Sequence, residues 1–437
     1  MRSARLPFVV LSLCSFLLTQ TYTAAAFHSG TTGDCNGCHT SHNSAGNQKA
    51  SINDLSMGQG NAYMLSGQDP SSTCLGCHEQ RGDASPSGYH VSTPKSELPD
   101  GVPPRQLTPG GDFGWLKKNY AWTAENGAVG ASPGYMHGHN IIAADFGYQA
   151  SPVNLTAPGG SYPSSALHCT SCHDPHGKYR ILADGSESAS GAEIVTSGSY
   201  GAMPTETEAV GVYRLLGGAG YETKLLPGFT FMNPAPAAVV PAAYNRGESS
   251  TQTRVAYGRG MSEWCGNCHE RLLNDSLKAG GSETHPSGAQ VTFGPDIARN
   301  YNSYVRSGEF SGSEATAFIS LVPFETGDGN DMAGRKNLTA MAKTDNSNLT
   351  GPGPRSVVSC LTCHRAHASG WDGMLRWNSK SPMLVYKGRY PGIDGDAPAI
   401  FSQGRTQAET QRAYYEYPAE RFAYNQRSLC NKCHVRD

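Results

Sequence analysis

The sequence predicts a chain that is mostly coil with short α-helices and very little β, wrapped around a core that its own side chains do not supply. Three observations lead there. Hydrophobic residues make up only 38%, below the usual share for a globular chain. Gly 52 and Pro 27 are abundant, and a chain this rich in loops struggles to build an ordinary side-chain core. The third is a five-residue word, Cys, two variable residues, Cys and His, that recurs along the chain.

The copies are Cys35/Cys38/His39, Cys74/Cys77/His78, Cys169/Cys172/His173, Cys265/Cys268/His269, Cys360/Cys363/His364 and Cys430/Cys433/His434. This is the c-type haem attachment motif: two thiols, one short turn apart, form thioethers to one haem, and the histidine is directed at its iron. Histidine is 15 of 437 residues, so six chance matches after six pairs have odds on the order of one in a billion. Zinc ribbons also use paired Cys-x-x-Cys units but do not need that histidine. The fold class is therefore multihaem cytochrome c, a polypeptide wrapped around a chain of six covalently attached haems c. The apo-polypeptide is expected to be largely unfolded.

The N-terminus carries Arg2 and Arg5, an apolar run over 6–18, and Ala24-Ala25-Ala26 at a cleavage site. Residues 1–26 read as a secretory signal peptide and 27–437 as a single hexahaem cytochrome domain. A lipoprotein signal at Cys14 is the weaker reading, because Leu13 is bulky where a small residue is needed. Cys14 is the one cysteine outside the motifs, so the mature chain keeps none for disulfides. No later stretch approaches 18 apolar residues, which predicts no transmembrane segment. Loss of Arg2 and Arg5 leaves the mature chain mildly acidic, against nucleic acid as a partner.

The first cysteines fall at 35, 74, 169, 265, 360 and 430, so no single period repeats, which argues against a solenoid. Pro/Gly-rich stretches at 94–111, 151–163, 234–241, 351–354 and 391–398 read as ordered loops between haem-binding segments. Ser262-Glu263 starts a helix that 271–277 continues. Further helices are expected over 313–322, over 406–415, and from Ala419 toward the last motif, with Pro418 breaking the last two apart. Tyr414, Tyr415, Tyr417, Phe422 and Tyr424 are expected against porphyrin faces.

Each iron needs a second axial ligand. The remaining histidines are His28, His42, His90, His137, His139, His168, His176, His285 and His367, enough for six bis-histidine haems. His42, His176 and His367 each follow an odd motif's histidine by three residues, whereas the even motifs have Arg81, Leu272 and Asp437 there. The alternation suggests three two-haem units in series. A side chain one turn away lies on the proximal side of its own haem and reaches a neighbouring iron instead. Reaching back, His176 serves the first haem and His367 the third. His42 then ligates the fifth haem of an adjacent subunit, a head-to-tail bond that generates a filament. The alternatives are that His42 reaches forward within its own chain, or that these histidines only contact propionates. His90 and His285 are the choices for haems two and four and His139 for haem six. His28 and His168 are substitutes, and His137 is assigned to packing.

The resemblance rests on longer segments. They are Phe27-His28-Ser29-Gly30, Thr108-Pro109-Gly110-Gly111-Asp112-Phe113-Gly114-Trp115, Leu167-His168-Cys169 with Asp174-Pro175-His176-Gly177, and Gly260-Met261-Ser262-Glu263-Trp264-Cys265. Cys363-His364-Arg365-Ala366-His367-Ala368-Ser369-Gly370 and Leu429-Cys430-Asn431-Lys432-Cys433-His434 complete them. Over the whole mature chain the sequence resembles the outer-membrane cytochrome S family, hexahaem cytochromes of metal-reducing bacteria that polymerise into extracellular nanowires. The resemblance implies bis-His haems in alternating parallel and T-shaped stacks, and a ligand crossing the subunit boundary from the position of His42.

The expected function is electron transfer, not catalysis. Exported through the periplasm to the outer surface of a bacterium, the chain passes electrons to other cytochromes or to extracellular acceptors such as metal oxides. Identical subunits in a head-to-tail filament are the expected partners. The alternatives are a monomeric secreted or periplasmic shuttle and, with less support, a multihaem reductase, which needs an open iron face.

Overall fold

The computed structural model describes residues 35–39, 64–79, 89–242, 247–249, 253–276 and 285–435. The segment read as a signal peptide, Cys14, His28 and His42 lie outside them. The α-helices among the described residues are α1 (Pro70–His78), α2 (Met261–Cys265), α3 (Glu270–Ser276), α4 (Gly294–Ser303), α5 (Met332–Met341), α6 (Cys360–Cys363), α7 (Ala399–Ser402) and α8 (Gln407–Ala413). The longest, α4 and α5, have 10 residues. Strands form small patches: the hairpin β1 (Tyr120–Thr123) with β2 (Val129–Ser132), then β3 (Arg180–Ile181), β4 (Glu187–Ser188), β5 (Glu193–Ser197) and β6 (Glu208–Gly211) in the order β4-β3-β6-β5. β7 (Ala237–Val239) pairs with β8 (Ala256–Arg259), and β9 (Met383–Val385) with β10 (Gln426–Arg427), both antiparallel.

Local sequence explains the helices that form. Asp69 accepts the Ser72 N–H at 2.8 Å and Pro70 opens α1, where a missing N–H costs nothing. Thr406 and Glu409 form a reciprocal capping box at α8, within the expected 406–415 helix. The helix expected from Ser262 through residue 277 is instead split into α2 and α3, because the chain turns after Cys265 to deliver His269. The helix expected over 313–322 is one 3-10 turn, Glu314–Thr316. Ala317, Phe318, Leu321 and Val322 after it are all buried, and Phe318 N–H bonds to the Leu349 carbonyl rather than back along the chain. The expected helix from Ala419 is likewise a single turn, Ala419–Arg421, and the last motif stands on its own 3-10 turn, Leu429–Lys432.

The core departs from the expectation of a chain lacking one. Leu107, Trp115, Tyr301, Leu321, Val385 and Tyr414 belong to one large buried side-chain cluster that joins residues near 107–120 to residues of the second half of the chain. Tyr414, Tyr415, Tyr417 and Phe422 sit inside it, with Tyr390 stacked on Tyr414 at 5.3 Å between ring centres and Trp371 at 5.2 Å. Tyr424 is exposed. These aromatics pack on one another, so they supply apolar volume that the low hydrophobic fraction had seemed to deny.

Long loops leave carbonyls that no ladder satisfies, and buried arginines close them. Arg335 donates to the carbonyls of Gly198 and Ala202, both at 2.6 Å. Arg405 bonds to the Gly370 carbonyl at 2.9 Å while lying over the rings of Tyr120 and Trp371. Five donors on one rigid fork make this possible. Arg365 and Arg376 converge on Glu248 at 3.0 and 3.5 Å, with all three side chains buried. Glu248→Ala leaves two like charges in the interior, and denaturant titration of the haem-loaded protein is expected to show a loss of about 3–5 kcal/mol.

Candidate haem sites

Each motif is folded into the same short turn. The histidine N–H bonds to the carbonyl of the first cysteine at 2.7 Å in His39, 3.0 Å in His173 and His269, 2.9 Å in His364 and 3.1 Å in His434. The second motif lies inside α1. One helical turn therefore sets both thiols and the imidazole of each copy. None of the twelve motif cysteines is paired in a disulfide.

The motifs follow one another in space in the order of the chain. Cys38 is within electrostatic reach of Cys77, Cys172 of Cys268, and Cys363 of Cys433. Cys74 lies beside Cys169, and Cys265 beside Cys360. Closer and looser steps thus alternate along one row.

Imidazoles then meet in facing pairs. His39 and His176 are parallel, 6.4 Å between ring centres with 3° between planes. His173 faces His367 at 6.3 Å and 61°. His269 faces His139 at 6.1 Å and 34°, and His434 faces His285 at 5.9 Å and 70°. An imidazole nitrogen sits about 2 Å from a bound metal and the ring centre about 1 Å further, so rings on opposite sides of one iron stand roughly 6 Å apart. The four pairs have the separation that an iron requires. His90, 3% exposed, bears electrostatically on His78, and Val91 N–H bonds to the His78 carbonyl at 2.8 Å. Among the described residues, no second imidazole faces His364 at such a distance.

Two of these pairings differ from the sequence reading, which put His285 with motif four and His139 with motif six. Chain segments far apart in sequence decide it. His139 N–H bonds to the His367 carbonyl at 2.9 Å, and its Nδ1–H to the Ala366 carbonyl at 2.7 Å. The strand-like bridges of Gly111 and Gly138 to Ala368 hold that crossing together. Gly111 has φ +99, and a Cβ there would lie 1.7 Å from the Ala368 oxygen; one at Gly110 would lie 2.8 Å from the His367 ring. For the last motif, Lys432 reaches into the C-terminal end of α4, donating to the carbonyls of Tyr301 and Tyr304, both at 3.1 Å. That brings His434 beside the segment that leads into α4, where His285 lies.

The tautomers are set by the backbone. Carbonyl oxygens accept from Nδ1–H of His78 (Tyr89, 2.7 Å), His173 (Arg214, 2.9 Å), His269 (Pro158, 2.8 Å), His364 (Gly373, 2.7 Å) and His285 (Pro286, 2.8 Å). A carbonyl can only accept, so the proton is on Nδ1 and the lone pair on Nε2 is free for iron. Burial, with His269 beside it, lowers His139 to about 4 and keeps that ring neutral. His137 and His168 have other surroundings. His137, fully buried, stands 2.8 Å from Ser132 Oγ and donates from Nδ1 to the Trp115 carbonyl. Asp372 lies beside it; burial would raise that carboxyl, but hydrogen bonds from His137, Lys380 and Ser132 hold it far below the usual range. His168 lies 3.3 Å from Ser71 and 3.7 Å from Asp69, tying motif three to the start of α1.

Six attachment turns in a row, with imidazoles paired at iron-spanning distance, define a multihaem c-type cytochrome. No family model matches the chain. It is 47% identical over 435 residues to C-type cytochrome OmcS of Geobacter sulfurreducens, covering 98% of this chain and 99% of that one. The chain belongs to the OmcS family of c-type cytochromes. Its fold matches the cryo-EM structure of OmcS nanowires from the same organism with a TM-score of 0.85 at 47% identity, over 94% of this chain and all of the other. A second structure, the outer membrane cytochrome S filament of Geobacter sulfurreducens, matches with a TM-score of 0.83 at 46% identity and the same coverage.

Proposed function

We propose that this protein carries electrons outside the cell through six bis-histidine haems, polymerised head to tail into a conducting filament. The observation that carries it is the single row of attachment turns with facing imidazoles, joined to a relationship with a protein solved as nanowires. The bound haems supply one-electron ferric–ferrous chemistry. The chain's residues tether them, cap them and fix their order.

In this reading His39/His176, His78/His90, His173/His367, His269/His139 and His434/His285 are proximal and distal ligands of haems one, two, three, four and six. His364 is proximal at haem five, and His42 of an adjacent subunit is its distal ligand. An imidazole on both faces leaves no position for a substrate, which suits transfer rather than reaction. Among the described residues no helix is long and apolar enough to cross a membrane. Other cytochromes or insoluble acceptors such as metal oxides are the proposed exchange partners at the cell surface.

Pairing is tested with His139→Ala. Its resonance spectrum is expected to gain a high-spin ferric signal from one of the six haems. Removing the fourth haem's tethers, Cys265 and Cys268, is expected to abolish that signal, whereas removing Cys430 and Cys433 leaves it. The opposite pattern would return His139 to the sixth haem.

A further inference from the structure

Two carboxylates lie where motifs four and five meet. Glu325 is 1% exposed; one oxygen accepts the Met261 N–H at 2.8 Å, and Oε2 is buried with no hydrogen-bond partner. Glu263, on α2 and partly exposed, accepts the Ala289 N–H at 2.7 Å, and its Oε2 is likewise buried without a partner. Cys265 ends the same helix and lies beside Cys360, whose N–H bonds to Ser262 Oγ at 3.0 Å. Both carboxylates bear electrostatically on Cys360. The junction of the two haem tethers is therefore lined by two acids, and among the described residues no cation pairs with either.

We propose that Glu325, with Glu263 on its solvent side, is a proton-binding site linked to the oxidation state of the haem pair at motifs four and five. It rests on the haem assignment above and adds proton coupling to it. An ionised carboxylate with an unpaired oxygen is costly in the interior, so this group takes a proton more readily than a surface acid. Burial pushes Glu325 up to about 8, with the Met261 N–H opposing and the Glu263 charge adding to the rise. The elements packed against Glu325 present few other charges. α2 brings Glu263 and the N–H groups of Gly260 and Met261, and α6 brings Cys360. β8 brings Tyr257, which bears on Glu248, Arg376 and Arg365. Residues 356–358 are Ser, Val and Val.

Glu325 takes one proton from solvent, by way of Glu263, as one electron reaches the pair from the adjacent haem in the row. The proton returns to solvent when the electron moves on. Charge is thereby balanced at the junction, and electron arrival becomes easier at low pH.

Redox titration of the haem-loaded protein between pH 6 and 9 tests this. At fixed applied potential, the reduced-to-oxidised ratio of one haem component is expected to fall by up to about tenfold per pH unit, the limit for one proton per electron. Glu325→Gln, a permanently neutral mimic, is expected to flatten that slope and hold the ratio at its low-pH level. The reduced-minus-oxidised infrared spectrum should lose a carboxylic acid band in the same variant. An unchanged slope and band in Glu325→Gln would overturn the proposal. Should that variant fail to fold, Glu263→Gln is expected to move the sloping region to lower pH, and an unmoved region would overturn it equally. Intact mass separates the two readings: a chain without six haems defeats the function as well, whereas six haems with no such slope defeat the proton site alone.

Discussion

His42→Ala is expected to yield a soluble chain with all six haems attached and no filaments. No attachment cysteine changes, so intact mass stays that of the hexahaem form. Under the proposed ligation, the haem of His364, whose Nδ1 is held by the Gly373 carbonyl, then lacks its second imidazole. One haem is expected to become high-spin, and added imidazole to restore the low-spin spectrum without restoring polymer. If a metal–imidazole bond joins every junction, these bonds act in series, and their loss blocks growth at each step. Micrographs showing filaments at normal yield would sink the inter-subunit bond and favour a forward reach of His42 within its own chain.

Cys172→Ala is expected to have the second largest effect, on attachment and on stability together. The turn it belongs to is anchored by neighbours: the Cys172 carbonyl accepts Gly217 N–H at 2.9 Å, and Tyr221 Oη bonds to the Thr170 and His173 carbonyls. The third haem is also where the chain folds back on itself, since His173 and His367 face each other from distant segments. Intact mass should show a mixture of five and six haems. The unfolding free energy should drop by about 2–5 kcal/mol, as for loss of a native cross-link. Full occupancy with an unshifted transition would mean that haem three is not a structural element.

What the sequence reading found and missed follows from range. The attachment turns were legible because five consecutive residues carry their whole chemistry. The backward reach of His176 and His367 is also a matter of local offset: three residues along a turn displace an imidazole toward a neighbour. His139 and His285 defeated the same logic. Proximity in sequence put His285 with motif four, whereas His139 is fixed by hydrogen bonds to residues 366 and 367, and His285 by the docking of Lys432 on α4. Similarly, the sequence reading named neither α1 nor α5, although Asp69-Pro70 and Asp331 cap them, and the apolar run after Ser313 is no helix because Leu349 takes the Phe318 N–H.

By itself the sequence determined the cofactor class and its number, since each motif is written in adjacent residues. The tertiary structure decided which imidazoles face each other, the one-row order of the motifs, and the gathering of aromatics and buried arginines into a core of side chains. Those depend on backbone bonds and packing between segments hundreds of residues apart, where a contact costs chain entropy and leaves no local mark. Haem ligation needs two such segments for each iron, and sequence spacing alone records only one.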